Sequence, residues 1–128
     1  MAGDRGSKYY DIFLRHQLEM ISGDEIIISE EGFRLILAIE KYQSITSAAN
    51  ELGISYRKAW GMVRDIENNL GFCLAGKKRG GKSGGRTILT AEGMALASAY
   101  RDLLVELDQS DKEIIRKFFR RINPLREQ

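Results

Sequence analysis

The sequence predicts one α+β domain: a β-hairpin, three short helices, a second hairpin and a long final helix. Three observations predict this class. Apolar and polar residues alternate near the N-terminus, as in strands, whereas later apolar residues recur at spacings of three and four, as in helices. A serine or threonine precedes each helical pattern, where its hydroxyl can accept a backbone hydrogen bond. The length of 128 residues fits one domain, and we expect a flexible tail at 1–11 and the domain at 12–128.

The composition excludes several classes of protein. The chain is 43% hydrophobic and 30% charged, with one cysteine and one histidine, which is typical of a folded protein and not of a disulfide scaffold or a disordered chain. Its apolar runs are far below the roughly 18 residues of a membrane span, and no secretory pattern is present, so a cytoplasmic protein is expected. With so few Cys and His residues, we expect no metal, no cofactor and no enzymatic activity.

A β-hairpin is predicted after the tail. From Ile12 onward the alternation places four residues on one apolar face: Leu14, His16, Leu18 and Met20. This period of two predicts a half-buried strand, and we expect His16 to be a hydrogen-bonded core residue. The turn residues 22–24 then lead into a β-branched second strand at 26–28.

Three capped helices follow the hairpin. The first is predicted from about 30 to 43, the second ends at Gly53 and the third ends at Gly71, because glycine tolerates the left-handed conformation that closes a helix. Short strands are predicted at 72–74 and 87–89, on either side of a Gly/Lys/Arg loop. The predicted caps of these helices and of the final helix are Ser29, Ser44, Ser55 and Thr90.

The most informative motif runs from Ser44 to Trp60 and has the sequence Ser-Ile-Thr-Ser-Ala-Ala-Asn-Glu-Leu-Gly-Ile-Ser-Tyr-Arg-Lys-Ala-Trp. Two helices that cross at about 100° need a small residue where their backbones approach, and Ala49 meets this need. They also need a residue that tolerates positive φ, and Gly53 stands four positions later. The spacing indicates a helix-turn-helix. An ordinary helical corner is the alternative, although it would not need a capped, basic second helix.

The outer face of the second helix of this motif is basic and polar. The first turn of a recognition helix enters the major groove of DNA, where Arg57 can bind guanine O6 and N7 or a phosphate. Trp60 either stacks on a sugar or packs at the helix boundary. The candidate DNA-binding residues of this motif are Thr46, Ser55, Tyr56, Arg57, Lys58, Trp60 and Arg64.

A glycine-rich basic loop follows the motif. The segment from Gly53 to Ile88 has eight basic and two acidic residues, a net charge of +6, whereas the rest of the chain has 12 basic and 16 acidic residues. Such a block predicts a polyanionic partner, most often nucleic acid, and a merely solvated face is the alternative. On a hairpin the loop forms a wing that can follow a phosphate backbone. Its candidate DNA-binding residues are Lys77, Lys78, Arg79, Lys82, Ser83 and Arg86.

The same loop matches the phosphate-binding pattern G-x-x-x-x-G-K-S from Gly76 to Ser83. In nucleotide-binding proteins a helix begins directly after this loop, and its backbone N–H groups bind the phosphates. Here Gly84, Gly85 and Arg86 come next, and a β-branched run follows. The sequence therefore disfavours a phosphate-loop nucleotide-binding protein.

A long helix is predicted from Ala91 to Ile122, 32 residues that would measure about 48 Å if unbroken. Its apolar residues step by three and four and are interrupted at Asp111, and the capping box from Ser110 to Glu113 can instead begin a new helix. One small domain cannot cover so long a helix, so part of the apolar seam is predicted to pack on a second subunit. The predicted dimer-interface residues are Tyr100, Leu104, Leu107, Ile114 and Phe118.

Three segments resemble a known family. The motif at 44–60, the loop at 79–86 and the sequence Leu-Thr-Ala-Glu-Gly at 89–93 are similar to the N-terminal DNA-binding domain of the ModE molybdate-responsive regulators and, more remotely, to the LysR-type winged helix. The resemblance covers roughly residues 29–107. It implies a winged helix that dimerises on palindromic duplex DNA, with molybdate bound by a separate C-terminal domain. Because the chain ends at Gln128 without such a domain, molybdate binding is not expected.

Together these features predict a winged helix-turn-helix of the α+β class, with an N-terminal β-hairpin and a long C-terminal dimerisation helix at about 91–122. The expected function is that of a homodimeric, sequence-specific, DNA-binding transcriptional regulator. A winged-helix module for a protein or RNA partner is the alternative. Salt-dependent binding to duplex DNA with a sequence preference would distinguish the two.

Overall fold

Serine hydroxyls begin three of the helices, as the sequence predicts. In a computed structural model, which describes residues 6, 8–78 and 85–123, each serine Oγ atom accepts a hydrogen bond from the backbone N–H three residues later, at 3.0 to 3.1 Å. This bond satisfies one of the free N–H groups at a helix start. The elements in chain order are β1 (Met20–Ser22), β2 (Glu25–Ile28), α1 (Glu30–Tyr42), α2 (Ile45–Leu52), α3 (Tyr56–Leu70), β3 (Ala75–Lys78), β4 (Arg86–Leu89) and α4 (Ala91–Ile122).

The turn between α2 and α3 has the geometry that the motif predicts. α2 ends at Gly53, whose φ of 71° lies in the left-handed region that disfavours a Cβ atom. The Ile54 N–H then donates to the Ala49 carbonyl at 3.0 Å, which closes the helix. Ala49 and Ala59 are both buried in the core. The small residue and the glycine therefore lie where a helix-turn-helix requires them.

The first predicted strand is wrong over most of its length. β1 and β2 form an antiparallel hairpin in which Met20 pairs with Ile28, and residues 14–19 have no regular secondary structure. β2 has only four residues, so its ladder cannot extend back to Ile12. Phe13 forms only an isolated bridge, and residues 14–19 lack a strand to pair with, so the alternating segment does not become a strand.

The strand predicted at 72–74 is also wrong, because β3 begins at Ala75 and pairs there with Leu89 of β4. The Leu74 N–H donates to the Glu67 carboxylate of α3 at 2.7 Å, so it is not free for a strand ladder. The predicted strand at 87–89 lies within β4.

Residues Leu18–Tyr100 form one compact unit with a hydrophobic core. α1 packs against α2 and α3, and the Phe33 ring of α1 stacks on Tyr100 of α4 with centroids 4.1 Å apart. Tyr100 is 7% exposed, and burial raises the pKa of its phenol. This predicted interface residue is thus packed within the protomer. The largest fully buried side chains are Ile28, Leu35, Ile36, Ile39, Val63 and Leu74.

The described parts of residues 1–17 and 101–128 form a second compact unit. In it the Tyr9 ring lies 6.0 Å from that of Phe119, which is buried. Many other apolar side chains of this unit are exposed. Within the described residues, no helix has an apolar stretch long enough to cross a membrane.

Asp111, which interrupts the apolar seam, lies inside one unbroken helix, so the box at Ser110 does not begin a new one. Its Oδ2 atom lies 2.9 Å from Nδ1 of His16. The prediction that His16 is a core residue is wrong, since its side chain is 49% exposed. The reason is the missing strand: without a ladder, His16 lies on no buried sheet face.

Gly93, near the start of α4, approaches the backbone of Leu74 closely. Thr90 begins this helix, and its Oγ1 accepts from the Gly93 N–H at 3.1 Å and donates to the Cys73 carbonyl at 2.7 Å. The Thr90 N–H also donates to the Leu74 carbonyl at 2.8 Å. A Cβ atom on Gly93 would overlap that carbonyl oxygen.

We expect Gly93→Ala to lower the free energy of unfolding by about 1–3 kcal/mol, because neither backbone can yield without breaking the Thr90 bonds. Urea denaturation measures this change. Ser98→Ala, at an exposed position of the same helix, is the matched control and should stay within about 0.5 kcal/mol of the wild type. Equal stability of the two variants would contradict the close approach.

Candidate nucleic-acid interface

α3 buries one face and exposes the other. Ala59, Val63 and Ile66 face the core, whereas Arg57 and Arg64 are exposed. Among the described residues, neither arginine has a hydrogen-bond or ion-pair partner, so both guanidinium groups are available to a ligand. The other exposed candidates of the helix-turn-helix are Thr46, Ser55, Tyr56 and Lys58.

Lys58 has a weak partner. Its Nζ lies 3.8 Å from Glu31 Oε1, and both side chains are substantially exposed. Ion pairs of this kind contribute about 0–1 kcal/mol to stability. Lys58 can therefore exchange Glu31 for a phosphate at little cost.

Lys77 of β3 lies against two aromatic rings of α3. Its Nζ is 5.7 Å from the centroid of the Tyr56 ring and 5.5 Å from that of Trp60. Both distances fall within the range of cation–π attraction, which joins β3 to the outer face of α3. The Lys77 ammonium also lowers the pKa of the Tyr56 phenol.

Trp60 is half-buried and packs against the core, as in the second of the two predicted alternatives. Its Nε1–H is buried and has no hydrogen-bond partner among the described residues. The indole therefore lies between the core and the exposed face of α3.

The base of β3 is bound to α3 through Glu67. Its Oε2 atom accepts from the backbone N–H groups of Leu74 and Ala75 at 2.7 and 3.4 Å. Sequence reasoning missed this residue, although an acid within a strongly basic segment is a signal that could have found it. The Glu67 carboxylate holds β3 against α3 through these two hydrogen bonds.

The start of β4, at the loop end of the hairpin, is bound to the end of α1. The Thr87 N–H donates to the Gln43 carbonyl at 3.1 Å, and Arg86 Nη1 donates to Gln43 Oε1 at 3.1 Å. The buried Thr87 hydroxyl in turn accepts from the Ile45 N–H, the first of α2, at 3.3 Å. Gln43 has a φ of 51°, and nothing in its sequence context predicts this conformation.

A groove of about 790 Å³ separates α3 from β3. Arg57, Arg64 and Lys77 line it, and Glu67 is the acid among its lining residues. Lys78 and Arg86 lie opposite each other on the paired strands and are exposed. The structure thus brings three of the predicted basic residues, Arg57, Arg64 and Lys77, to one groove. The predicted residues Arg79, Lys82 and Ser83 lie outside the described residues.

The described part of the chain shows neither a metal site nor a phosphate loop. No group of three or more His, Cys, Asp or Glu side chains there can hold a metal ion. β4 begins at Arg86, where a nucleotide-binding loop would lead into a helix. The arrangement provides cations and hydroxyls for a polyanion.

The contact of Lys77 with the Tyr56 ring gives a pH-dependent prediction. Because the ammonium favours the phenolate, Lys77→Met should raise the pKa of Tyr56 toward its ordinary value. An NMR titration of the Tyr56 ¹³Cζ signal measures the shift. Lys78→Met removes the same charge from the next residue and should leave the Tyr56 pKa in place. If Lys78→Met shifted the Tyr56 pKa and Lys77→Met did not, Lys78 would lie against the Tyr56 ring, and the wing would have a different register.

A model of the lysR family of bacterial regulatory helix-turn-helix proteins matches residues 31–94, half of the chain. These residues run from α1 to the start of α4. They include both walls of the groove and the bonds that attach the wing to α1 and α3.

Curated relatives share part of the chain. It is 40% identical over 70 residues to the molybdenum-pterin-binding protein MopB of Rhodobacter capsulatus, and 35% identical over 79 residues to the molybdenum transport protein ModE of Azotobacter vinelandii. It is 33% identical over 72 residues to the DNA-binding transcriptional dual regulator ModE of Escherichia coli K12. The matches cover 55 to 62% of this chain and 26 to 29% of the relatives. The chain thus spans less than a third of their length.

Solved structures share the fold. The crystal structure of the BenM DNA-binding domain with catB site 1 DNA has a TM-score of 0.52 and 27% identity, over 66% of this chain and 88% of that one. The complex of the CbnR DNA-binding domain with DNA has a TM-score of 0.50 at 22% identity, over 63% and 87%. The predicted winged helix-turn-helix fold and the resemblance to ModE and LysR-type regulators are confirmed. The chain belongs to the lysR family of bacterial regulatory helix-turn-helix proteins.

Proposed function

We propose that the chain is a DNA-binding transcriptional regulator in which α3 enters the major groove and the β3–β4 wing binds the phosphate backbone. The groove between α3 and β3 is the observation that carries the proposal. Arg57, Arg64 and Lys77 line it, and the carboxylate of Glu67 is bound to the base of the hairpin. An exposed, largely uncompensated basic surface beside a capped helix fits a duplex. The BenM DNA-binding domain, which is 27% identical to this chain, has been solved in complex with DNA, and this supports duplex DNA as the ligand.

The residues have different roles in this proposal. Arg57, in the first turn of α3, contacts a base, because two parallel N–H donors match guanine O6 and N7. Lys58, Lys78 and Arg86 bind phosphates, which position the domain and give no sequence information. The hydroxyls of Thr46 and Tyr56 are exposed and can also bind phosphate oxygens.

The proposed regulator is a homodimer that reads a pseudo-palindromic site. Beyond Tyr100, α4 exposes large apolar side chains, and burying them would contribute about 25 cal/mol per Å². A second copy of the same helix is the partner that a two-fold dimer supplies. The exposed apolar residues of this part of α4 are Leu103, Leu104, Val105, Ile114, Phe118 and Ile122.

Selection of bound duplexes from a random library, followed by fluorescence anisotropy at several salt concentrations, tests the proposal. We expect an enriched motif and an affinity that falls linearly on a log–log plot, with a slope of about −0.9 per phosphate contact. Binding of RNA or protein without duplex binding would favour the interaction module instead. Nucleotide binding or hydrolysis would favour the phosphate-loop alternative. The same assay with and without molybdate tests the expectation that this oxyanion has no effect.

Removal of Arg57 should weaken binding to the selected duplex by about 1–3 kcal/mol and relax the preference at one base position per half-site. Arg34→Ala is the matched control, because it removes the same charge from α1, where Arg34 pairs with Glu30. Anisotropy and a repeated selection measure both effects. An unchanged motif and affinity for Arg57→Ala would remove this residue from base recognition.

Charges placed on the exposed part of α4 should separate the proposed dimer. Leu104→Asp combined with Ile114→Asp puts carboxylates at side chains that are 37% and 62% exposed, so the protomer should still fold. Sedimentation should show a monomer, and affinity for the selected duplex should fall more than affinity for unselected DNA. Gln109→Asp, off the seam, should leave the dimer intact. A wild-type monomer at micromolar concentration would rule out this assembly.

A further inference from the structure

Two glycines line the groove between α3 and β3, one on each wall: Gly61 of α3 and Gly76 of β3. Both are exposed. Glycine in the interior of a helix or a strand is unfavourable relative to alanine, since it loses more conformational freedom on folding. Each position therefore lowers the stability of the element that contains it.

Nothing within the described protomer requires glycine at these positions. A Cβ atom built on Gly61 or Gly76 meets no atom within 4 Å, whereas one on Gly93 would overlap the Leu74 carbonyl. Neither residue is among the described glycines with positive φ. The absence of a side chain is thus explained neither by packing nor by backbone conformation.

The surroundings indicate what approaches these two backbones. Arg57 and Arg64 lie four residues before and three residues after Gly61, on the same face of the helix, and Lys77 follows Gly76. A strand of alternating phosphates and sugars fits such a groove, because it needs cations for its phosphates and close van der Waals approach for its sugars.

We propose that Gly61 and Gly76 are positioning residues that admit one sugar–phosphate strand of the duplex into the groove, so that the strand contacts the backbones of α3 and β3 directly. The inference rests on the proposed DNA binding and adds the place where the duplex comes closest to the protein backbone. A Cβ atom at either position would hold the strand away from Arg64 and Lys77 and would lengthen the phosphate contacts of both residues.

The test combines stability with affinity for Gly61→Ala. The melting temperature should rise by several degrees, because alanine favours the helix and meets open space. Affinity should fall by about tenfold or more, equally for selected and unselected duplexes, because the backbone strand has no sequence. Gly76→Ala should show the same uniform loss of affinity. Asn68→Ala, on α3 and outside the groove, is the control and should leave affinity unchanged.

The outcomes separate this inference from the proposed function. If the wild type binds no duplex, the proposed function fails. If the wild type binds and Gly61→Ala binds as well as it does, the inference is overturned while the function stands. A loss confined to the selected duplex would place a base edge, not the sugar–phosphate strand, against Gly61 and would also overturn it. A lower melting temperature would show that the position is not open and would overturn the premise.

Discussion

A two-stranded hairpin is marginally stable at best in water on its own, so the wing depends on bonds to the helices on both sides. Glu67 of α3 binds the start of β3 through two backbone N–H groups, and Gln43 at the end of α1 binds the start of β4. Because α1 and α3 also pack on the helix-turn-helix core, these bonds set the position of the wing beside the recognition helix. Lys77 adds a third attachment of the wing to α3, because its ammonium lies against the Tyr56 and Trp60 rings.

The helical part of the fold could be predicted from the sequence because its signals are local. A serine cap acts within three residues, and Gly53 adopts its left-handed conformation at the end of its own helix. The strands could not be placed as well, since a strand exists only where a neighbour bonds to it. The alternation from Ile12 meets a paired strand only from Met20 onward, and the Leu74 N–H is taken by a side chain 7 residues earlier. Both errors concern hydrogen bonds between separate segments, and a local sequence pattern does not show whether such bonds form.

At the candidate interface, too, the local features could be predicted from the sequence and the contacts between segments could not. The excess of basic residues could be counted in the sequence, and the helix-turn-helix spacing gave the exposed face of α3. The roles of Gln43 and Glu67 could not be inferred, because each depends on a strand of the hairpin lying next to its helix. Nor could the sequence decide between the two roles of Trp60. That choice follows from the packing of the indole against the core on one side and the approach of Lys77 on the other.

The apolar seam of α4 is interrupted in the sequence only at Asp111, but it divides into two parts with different surroundings. Ala97 and Tyr100 are almost fully buried, and Tyr100 stacks on Phe33 within the protomer, whereas Leu104, Ile114 and Phe118 are substantially exposed. A heptad period shows that one face of a helix is apolar and does not show what covers it. The core covers the inner part of the seam, so only the outer part is left for the second chain that we propose. Dimerisation and folding would then use different residues of one helix, and charges on the outer part would separate protomers without unfolding the DNA-binding unit.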